Sequence, residues 1–542
     1  MKKIIFLLSL FISLYPAIAQ QTDYFQWGKQ IEIISAVTEE LLNNYIEEPN
    51  AEILTNEAIK GLLKKTDRYT KYYDEQQMFE QRLRRSGKIS GIGVSVRNKD
   101  KGLSIRDIFP GSPAEKSGLL IGDLIIEIDG KKLDSISYNA KLKLLKGKPG
   151  TTVKLKVKRL NKNQSFTLTR AIIEQKAVPL YKMLDNETGY IKLSRFTSKA
   201  YPEVLNALVD LKKNGARKII LDLRGNPGGL LSQAIKITSL FIPKSSLVTY
   251  TKGRFEKFNK EYHTQTDPID EEIPLAVLIN KNSASASEIV SGALQDYDRA
   301  VIVGDTSFGK GLVQRFFPLK YGTFVKITIS KYYIPSGRQI QKIDYWHRDK
   351  YGNATKFKKD PSKVFYTENK RKVYEHGGIT PDVSVRPEEN PSLLKDLINN
   401  DYIFNFNTEF FHRNPDINPR DLKDDKLLEK FINYLKTNKI DPKSETEKYL
   451  EKTLKKAEKD KISTDIYRHL KELNQKTDEA DFDKMRQDAG MRKKILFYLK
   501  KDLILRYEGP AAYENYILQD DEIIRRAMEI LKNGSYDSIL NK

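Results

Sequence analysis

At 542 residues the chain is longer than one hydrophobic core supports, so several domains are expected. Apolar residues make up 39% and charged residues 31%, which excludes wholesale disorder, and the absence of cysteine excludes disulfides, an N-terminal lipid-bearing cysteine, thiolate metal sites and a cysteine nucleophile. A net charge of +22 raises nucleic acid or an anionic surface as partner, yet the lysines are interleaved with Glu and Asp, especially after residue 420, so solvated helix faces are the first reading and an anionic envelope surface the second.

Residues 1–19 read as a signal peptide: Lys2 and Lys3, the apolar run Ile4 to Leu14, then Ala17-Ile18-Ala19 as a small-x-small cleavage site. That implies export to the periplasm, with loose membrane association left open, and makes nucleic acid an unexpected partner. Residues 20–86 carry a helical period, with Ile31, Ile34, Val37, Leu41 and Leu42 followed by Ala58, Leu62 and Leu63.

Near Gly87 the period shifts to alternation. Ile89 to Val96, Leu103 to Ile108, Asp123 to Ile128 and Val153 to Val157 read as short strands of a compact β-rich unit over residues 87–172. Residues 173–390 alternate strands with helices, the apolar run Lys218 to Leu223 suiting a buried strand, so an α/β core is predicted. Residues 391–542 are rich in Lys and Glu at helical spacing and form a predicted C-terminal helical region. The fold class is therefore multidomain, an α/β core with a β-rich domain and helical N- and C-terminal regions.

Three motifs in the α/β segment carry chemistry. NKNSASASEIVSGALQDYDRA at residues 280–300 follows an apolar strand and opens an amphipathic helix. A serine there meets helix N-terminal amides that stabilise negative charge, although four clustered serines also suit a plain capped helix start. VGDTSFGKGLVQ at residues 303–314 begins like a phosphate loop, but Gly311 stands where Ser or Thr would hold magnesium. Lys310 suits a general base instead. A free lysine titrates near 10.4, and burial with neighbouring dipoles lowers that by roughly three units. With no cysteine and no histidine near these motifs, a serine–lysine pair is the familiar route left to an activated nucleophile. LDLRGNPGGLL at residues 221–231 ends a strand in a glycine-rich loop whose amides can approach a ligand closely, or which is an ordinary tight turn.

Together these motifs resemble the carboxyl-terminal processing peptidases, also called tail-specific proteases. SASASE at 283–288 and SFGKG at 307–311 stand at the family's spacing, with 25 residues between Ser285 and Lys310. The resemblance implies Ser285 as nucleophile, Lys310 as base and Gln314 orienting the amine. It implies an oxyanion hole from Gly228 or Gly229 together with Ala286, and supporting roles for Glu288 and Asp296 beside the nucleophile. Ser307 stands where Thr is usual. AIKGLLKKTDRYTKYY at 58–73 resembles the family's N-terminal helical signature, and YYIPSGRQIQ at 332–341 and GGITPDVSV at 377–385 resemble the strands that close its protease core.

ISGIGVSV and PGSPAEKSGLLIGDLIIEIDG resemble the family's PDZ domain. Its glycine loop Gly91-Ile92-Gly93-Val94 would bind a substrate's terminal carboxylate, with an apolar pocket lined by residues such as Ile92 and Val94. The resemblance implies an exported serine endopeptidase acting on polypeptides with apolar C-termini, homo-oligomer formation as a family tendency, and no metal or cofactor.

Overall fold

The computed structural model describes residues 24–358, 363–386 and 388–541, with the backbone alone over 474–481; the signal peptide expected at 1–19 lies outside them. Residues 24–72 form a separate compact unit with helices Tyr24–Asn44 and Ala51–Lys64, the second capped by the Asn50 side chain accepting from Ile53 N–H.

In the second unit the chain enters and leaves a β-rich domain through an antiparallel ribbon, Lys88–Gly91 against Ala171–Glu174. Within the domain, strands Val94–Lys99, Gly102–Ile108, Leu124–Ile128, Thr152–Arg159 and Lys162–Thr169 lie side by side in that order. The alternation read in the sequence is what buries Val153, Leu155 and Val157 while their lysine neighbours face water. The Val94–Lys99 strand pairs on one edge only among the described residues, beside helix Tyr138–Leu145.

The α/β core is a six-stranded sheet ordered Leu180–Met183, Thr188–Lys192, Lys218–Asp222, Leu275–Ile279, Val301–Gly304 and Val383–Ser384, parallel after its first pair. The strand period sorts its side chains between two layers. Ile219, Leu221, Leu275, Val277 and Ile302 pack against helices Ala200–Lys213, Leu231–Thr238 and Ala286–Asp296. Ile220, Ala276, Leu278, Val301 and Val303 pack against Ile523, Ile524, Ala527, Ile530 and Leu531 of helix Glu522–Lys532. A sheet covered on both faces accounts for the unbroken apolar run at 219–221.

The expected C-terminal helical region thus divides. Helices Ser392–Asn399, Tyr402–Arg413, Asp424–Thr437 and Ala489–Glu508 share a bundle core. The last two, Glu522–Lys532 and Ser535–Leu540, belong to the α/β sandwich. The bundle also grips the β-rich domain. Asp401, buried and at φ +65°, pairs with Arg97, Lys99 and Arg106, and Arg106 lies over the Phe404 ring at 3.7 Å.

Candidate active site

Parallel neighbours that end at one edge deliver their following loops to one place. Strands Lys218–Asp222, Leu275–Ile279 and Val301–Gly304 do this, so the loops at 223–230, 280–285 and 305–311 converge although they span almost ninety residues of sequence. The expected nucleophile, base and oxyanion glycines each lie on one of these loops.

Ser285 immediately precedes helix Ala286–Asp296 and adopts φ +57°, ψ −113°, a conformation a non-glycine residue holds only when its surroundings enforce it, at a cost of about 1–3 kcal/mol. Such strain at a strand-to-helix turn pushes a side chain out of the turn. Its neighbours are committed elsewhere: Ser283 Oγ donates to Leu223 C=O at 2.8 Å and Ser287 Oγ to Asn226 C=O at 2.9 Å, both buried. Of the three, Ser285 alone stays partly exposed. The Ala286 amide that follows is one of the orphan donors at a helix start.

Glu288 joins the two expected catalytic segments. Its fully buried carboxylate accepts from Ser285 N–H at 2.7 Å and Lys310 N–H at 2.9 Å on Oε2, and from Gly309 N–H at 2.7 Å and Ser307 Oγ at 2.5 Å on Oε1. Burial pushes its carboxyl up to about 7, because desolvation outweighs these donors. Ser307 supplies the hydroxyl the usual Thr would, and accepts from Ile379 N–H at 2.6 Å. A second bridge is the buried Tyr332 hydroxyl, which reaches Ser285 C=O at 3.3 Å and the Lys310 carbonyl. Gln314 donates its amide to Leu312 C=O at 3.1 Å and Thr328 Oγ1 at 3.3 Å, leaving Oε1 as the group it can offer an amine.

The glycine loop separates its two candidates. Gly228 N–H donates to Asn226 Oδ1 at 2.9 Å and is thereby spent. Gly229 N–H has no protein acceptor among the described residues. Gly228 is needed for space: at φ +93° a Cβ would lie 2.6 Å from Ala284 O and 2.9 Å from Ser285 Cβ. Asn226 fixes the loop, donating to Leu193 C=O at 2.8 Å and accepting on its own carbonyl from Ala284 N–H at 3.0 Å.

One expectation needs correcting. Asp296 does not stand beside the nucleophile; it ends the helix that Ser285 begins, and eleven residues of rise put it about 16 Å away. There it forms a buried ion pair with Arg338 at 2.8 Å and accepts from Ser336 N–H at 2.9 Å, holding the loop after Tyr333. Sequence reasoning also passed over Tyr332, Asn226 and Arg224 as individual residues. The last of these turns back onto Asp222 within the same motif.

In the β-rich domain, Gly91 and Gly93 have φ +150° and +87°, and a Cβ on Gly93 would lie 2.1 Å from Ser112 Cβ. The Ile92 and Gly93 carbonyls accept from Ala114 and Phe109 N–H, while the Ile92 and Gly93 amides have no acceptor among the described residues. Contrary to expectation the Ile92 side chain does not line a pocket; it is 1% exposed in the domain core. Val94, Val96, Ile108, Ile136, Leu144 and Phe166 are the partly exposed apolar groups packed against that core.

The chain matches Peptidase family S41 over residues 187–345, a PDZ domain over 90–169, and the C-terminal helical domain of a probable PDZ-protease over 393–531. It is 35% identical to a carboxy-terminal-processing protease of Bartonella bacilliformis over 58% of this chain and 73% of the relative. It is 34% identical to the carboxy-terminal processing protease CtpA of Bacillus subtilis over 62% and 72%. The solved photosystem II D1 C-terminal processing protease aligns at 24% identity over 69% of this chain and 89% of that one, with a TM-score of 0.40. The chain belongs to the carboxy-terminal processing protease family, serine-type S41 peptidases that here carry a PDZ domain and a C-terminal helical domain.

Proposed function

We propose that this is an exported endopeptidase that captures polypeptide C-termini in its PDZ domain and cleaves by a Ser285–Lys310 acyl-enzyme mechanism. The observation that carries the reading is the single carboxylate of Glu288, which ties the backbone of a strained, partly exposed serine to the backbone of the glycine-flanked lysine. Neutral Lys310 takes the proton from Ser285 Oγ as the oxygen attacks a substrate carbonyl; the Gly229 and Ala286 amides hold the oxyanion. Lysinium then gives the proton to the leaving amine, and water, deprotonated by the same lysine, releases the acyl group. Gln314 Oε1 accepts a hydrogen bond from the lysine amine and orients it.

A substrate tail adds as a strand along the open edge of Val94–Lys99, its carboxylate meeting the Ile92 and Gly93 amides and its apolar side chain meeting Val94, Val96 and Leu144. Export rests on the N-terminal sequence pattern and places the enzyme in the periplasm. Association with the envelope surface through the net positive charge, and self-association, belong to the same proposal.

The test is digestion of a loosely folded reporter ending in an apolar tail beside one ending in charged residues. Tail-dependent cleavage absent from both Ser285→Ala and Lys310→Ala is the expected result. Cleavage surviving in Ser285→Ala rejects the site, and a wild type that binds tails without cutting them points to an adaptor. Gly93→Ala keeps its N–H, but the new Cβ would overlap Ser112 Cβ and displace the Ile92 and Gly93 amides, so KM for the apolar-tailed reporter should rise about tenfold or more. Its turnover of a reporter without such a tail should stay as in wild type.

A further inference from the structure

We infer that Asp521, in the C-terminal helical tail, is a positioning residue for the oxyanion loop and acts through Arg224. The inference rests on the oxyanion role proposed for Gly229. Arg224 lies two residues before Asn226 and five before Gly229. Its guanidinium folds back onto Asp222, Nε lying 3.0 Å from both carboxylate oxygens and Nη2 2.6 Å from Oδ2, and Asp222 also accepts from Tyr190 Oη at 2.8 Å. Nη1 points away from that pair. Asp521 takes it, at 3.0 Å on Oδ1 and 2.7 Å on Oδ2.

Asp521 is itself fixed. It caps helix Glu522–Lys532 by accepting from Ile523 and Ile524 N–H at 3.0 and 3.1 Å. The apolar face of that helix is buried on the central sheet through Ile523, Ile524, Ala527, Ile530 and Leu531. The strand that precedes the loop and the helix that holds Arg224 are therefore packed face to face. A guanidinium gripped from both sides has one rotamer, and the backbone from Leu223 to Asn226 follows it. Without Asp521 the Arg224–Asp222 pair remains, as do Arg224 N–H on Asp222 Oδ1 at 2.9 Å, Gly225 N–H on Asn280 Oδ1 at 3.0 Å and the Asn226 hydrogen bonds, but the outward face of the guanidinium loses its carboxylate partner. An oxyanion donor is effective only at its correct distance, and a displacement on the order of 1 Å costs about a hundredfold in rate.

The separating variant is Asp521→Ser, which keeps a good helix cap but is too short and uncharged to hold Arg224. It should melt as the wild type does, with kcat for the tailed reporter lowered about 10- to 100-fold and KM changed less than twofold. The midpoint of its pH–rate profile should not move. Asp521→Glu should recover most of kcat, and Asp520→Ala, next in sequence and pointing to Lys493, should behave as wild type. A folded Asp521→Ser with wild-type kcat overturns the inference, as does a loss confined to KM. Should that variant fail to fold, Asp521→Thr, another helix cap too short and uncharged to hold Arg224, carries the same test, and an unchanged kcat overturns the inference again. Cleavage surviving in Ser285→Ala would instead sink the reading of the site. An inactive Ser285→Ala beside a fully active Asp521→Ser would sink only the role of Asp521.

Discussion

Glu288→Gln is expected to lower kcat/KM by about a hundredfold or more and to change the shape of the pH–rate profile. The wild-type carboxylate offers two acceptor oxygens to four donors, Ser285 N–H and Lys310 N–H on one, Gly309 N–H and Ser307 Oγ on the other. Glutamine has one acceptor oxygen, and its amide nitrogen must face one pair of donors. Each buried donor left unmet costs about 1–3 kcal/mol, so the pair costs about 3 kcal/mol, two decades in rate where it falls on the catalytic segments.

The pH behaviour follows from burial, which raises the Glu288 carboxyl from 4.5 to about 7. Its folded pKa lies above its unfolded one. The stability contributed by the protonated form is thus fully present below about 4.5 and lost as pH rises through about 7. Activity runs the other way, because the fourfold acceptor is the ionised form and protonation below about 7 spoils it. In the proposed mechanism Lys310 must also lose a proton to act as base, so the acid limb of kcat/KM should fall with a slope approaching two in the wild type. In Glu288→Gln one titration is gone and the slope should approach one. Equal slopes, or an activity within a few-fold of wild type, would show that Glu288 is only a helix-cap residue.

The sequence and the fold divide this site between them. A serine at a helix start and a lysine between glycines are local features, but they left four clustered serines open, and it was the family resemblance of SASASE and SFGKG that pointed to Ser285 and Lys310. The continuous apolar run at 219–221 announced a strand buried on both faces, and the alternation in 153–157 a half-exposed one. What was not legible is what brings these pieces together. Tyr332 reaches the Ser285 carbonyl across 47 residues, and Asp521 reaches Arg224 across 297, through a layer order that no local period encodes. Ile523, Ile524, Ala527, Ile530 and Leu531 have the spacing of an amphipathic helix, but that spacing does not say which surface the helix covers. The choice between Gly228 and Gly229 turned on one hydrogen bond, donated by Gly228 N–H to the Asn226 side chain. The misplacement of Asp296 was different in kind. Eleven residues along a helix is three turns, and that arithmetic was available from the start.

Asp296 and Arg338 should therefore govern stability and leave turnover alone. Their side chains are 2% and 1% exposed, and burial raises the Asp296 carboxyl even with the guanidinium 2.8 Å away. Arg338→Met removes that partner and the donor to Gln295 Oε1, leaving Asp296 with Ser336. Breaking a buried pair on one side costs about 3–5 kcal/mol, so urea unfolding of the core should shift by that amount at neutral pH. The raised folded pKa makes the loss pH-dependent, greatest where the carboxyl is ionised and smaller in acid, where a protonated Asp296 needs no counter-charge. Asp296→Leu combined with Arg338→Met should recover most of the stability, since two apolar groups leave no buried charge behind. The folded fraction of every one of these variants should keep a kcat within a few-fold of wild type, about 16 Å of helix separating the pair from Ser285. A large fall in kcat with unfolding unchanged would mean that the far end of the nucleophile helix is coupled to the site.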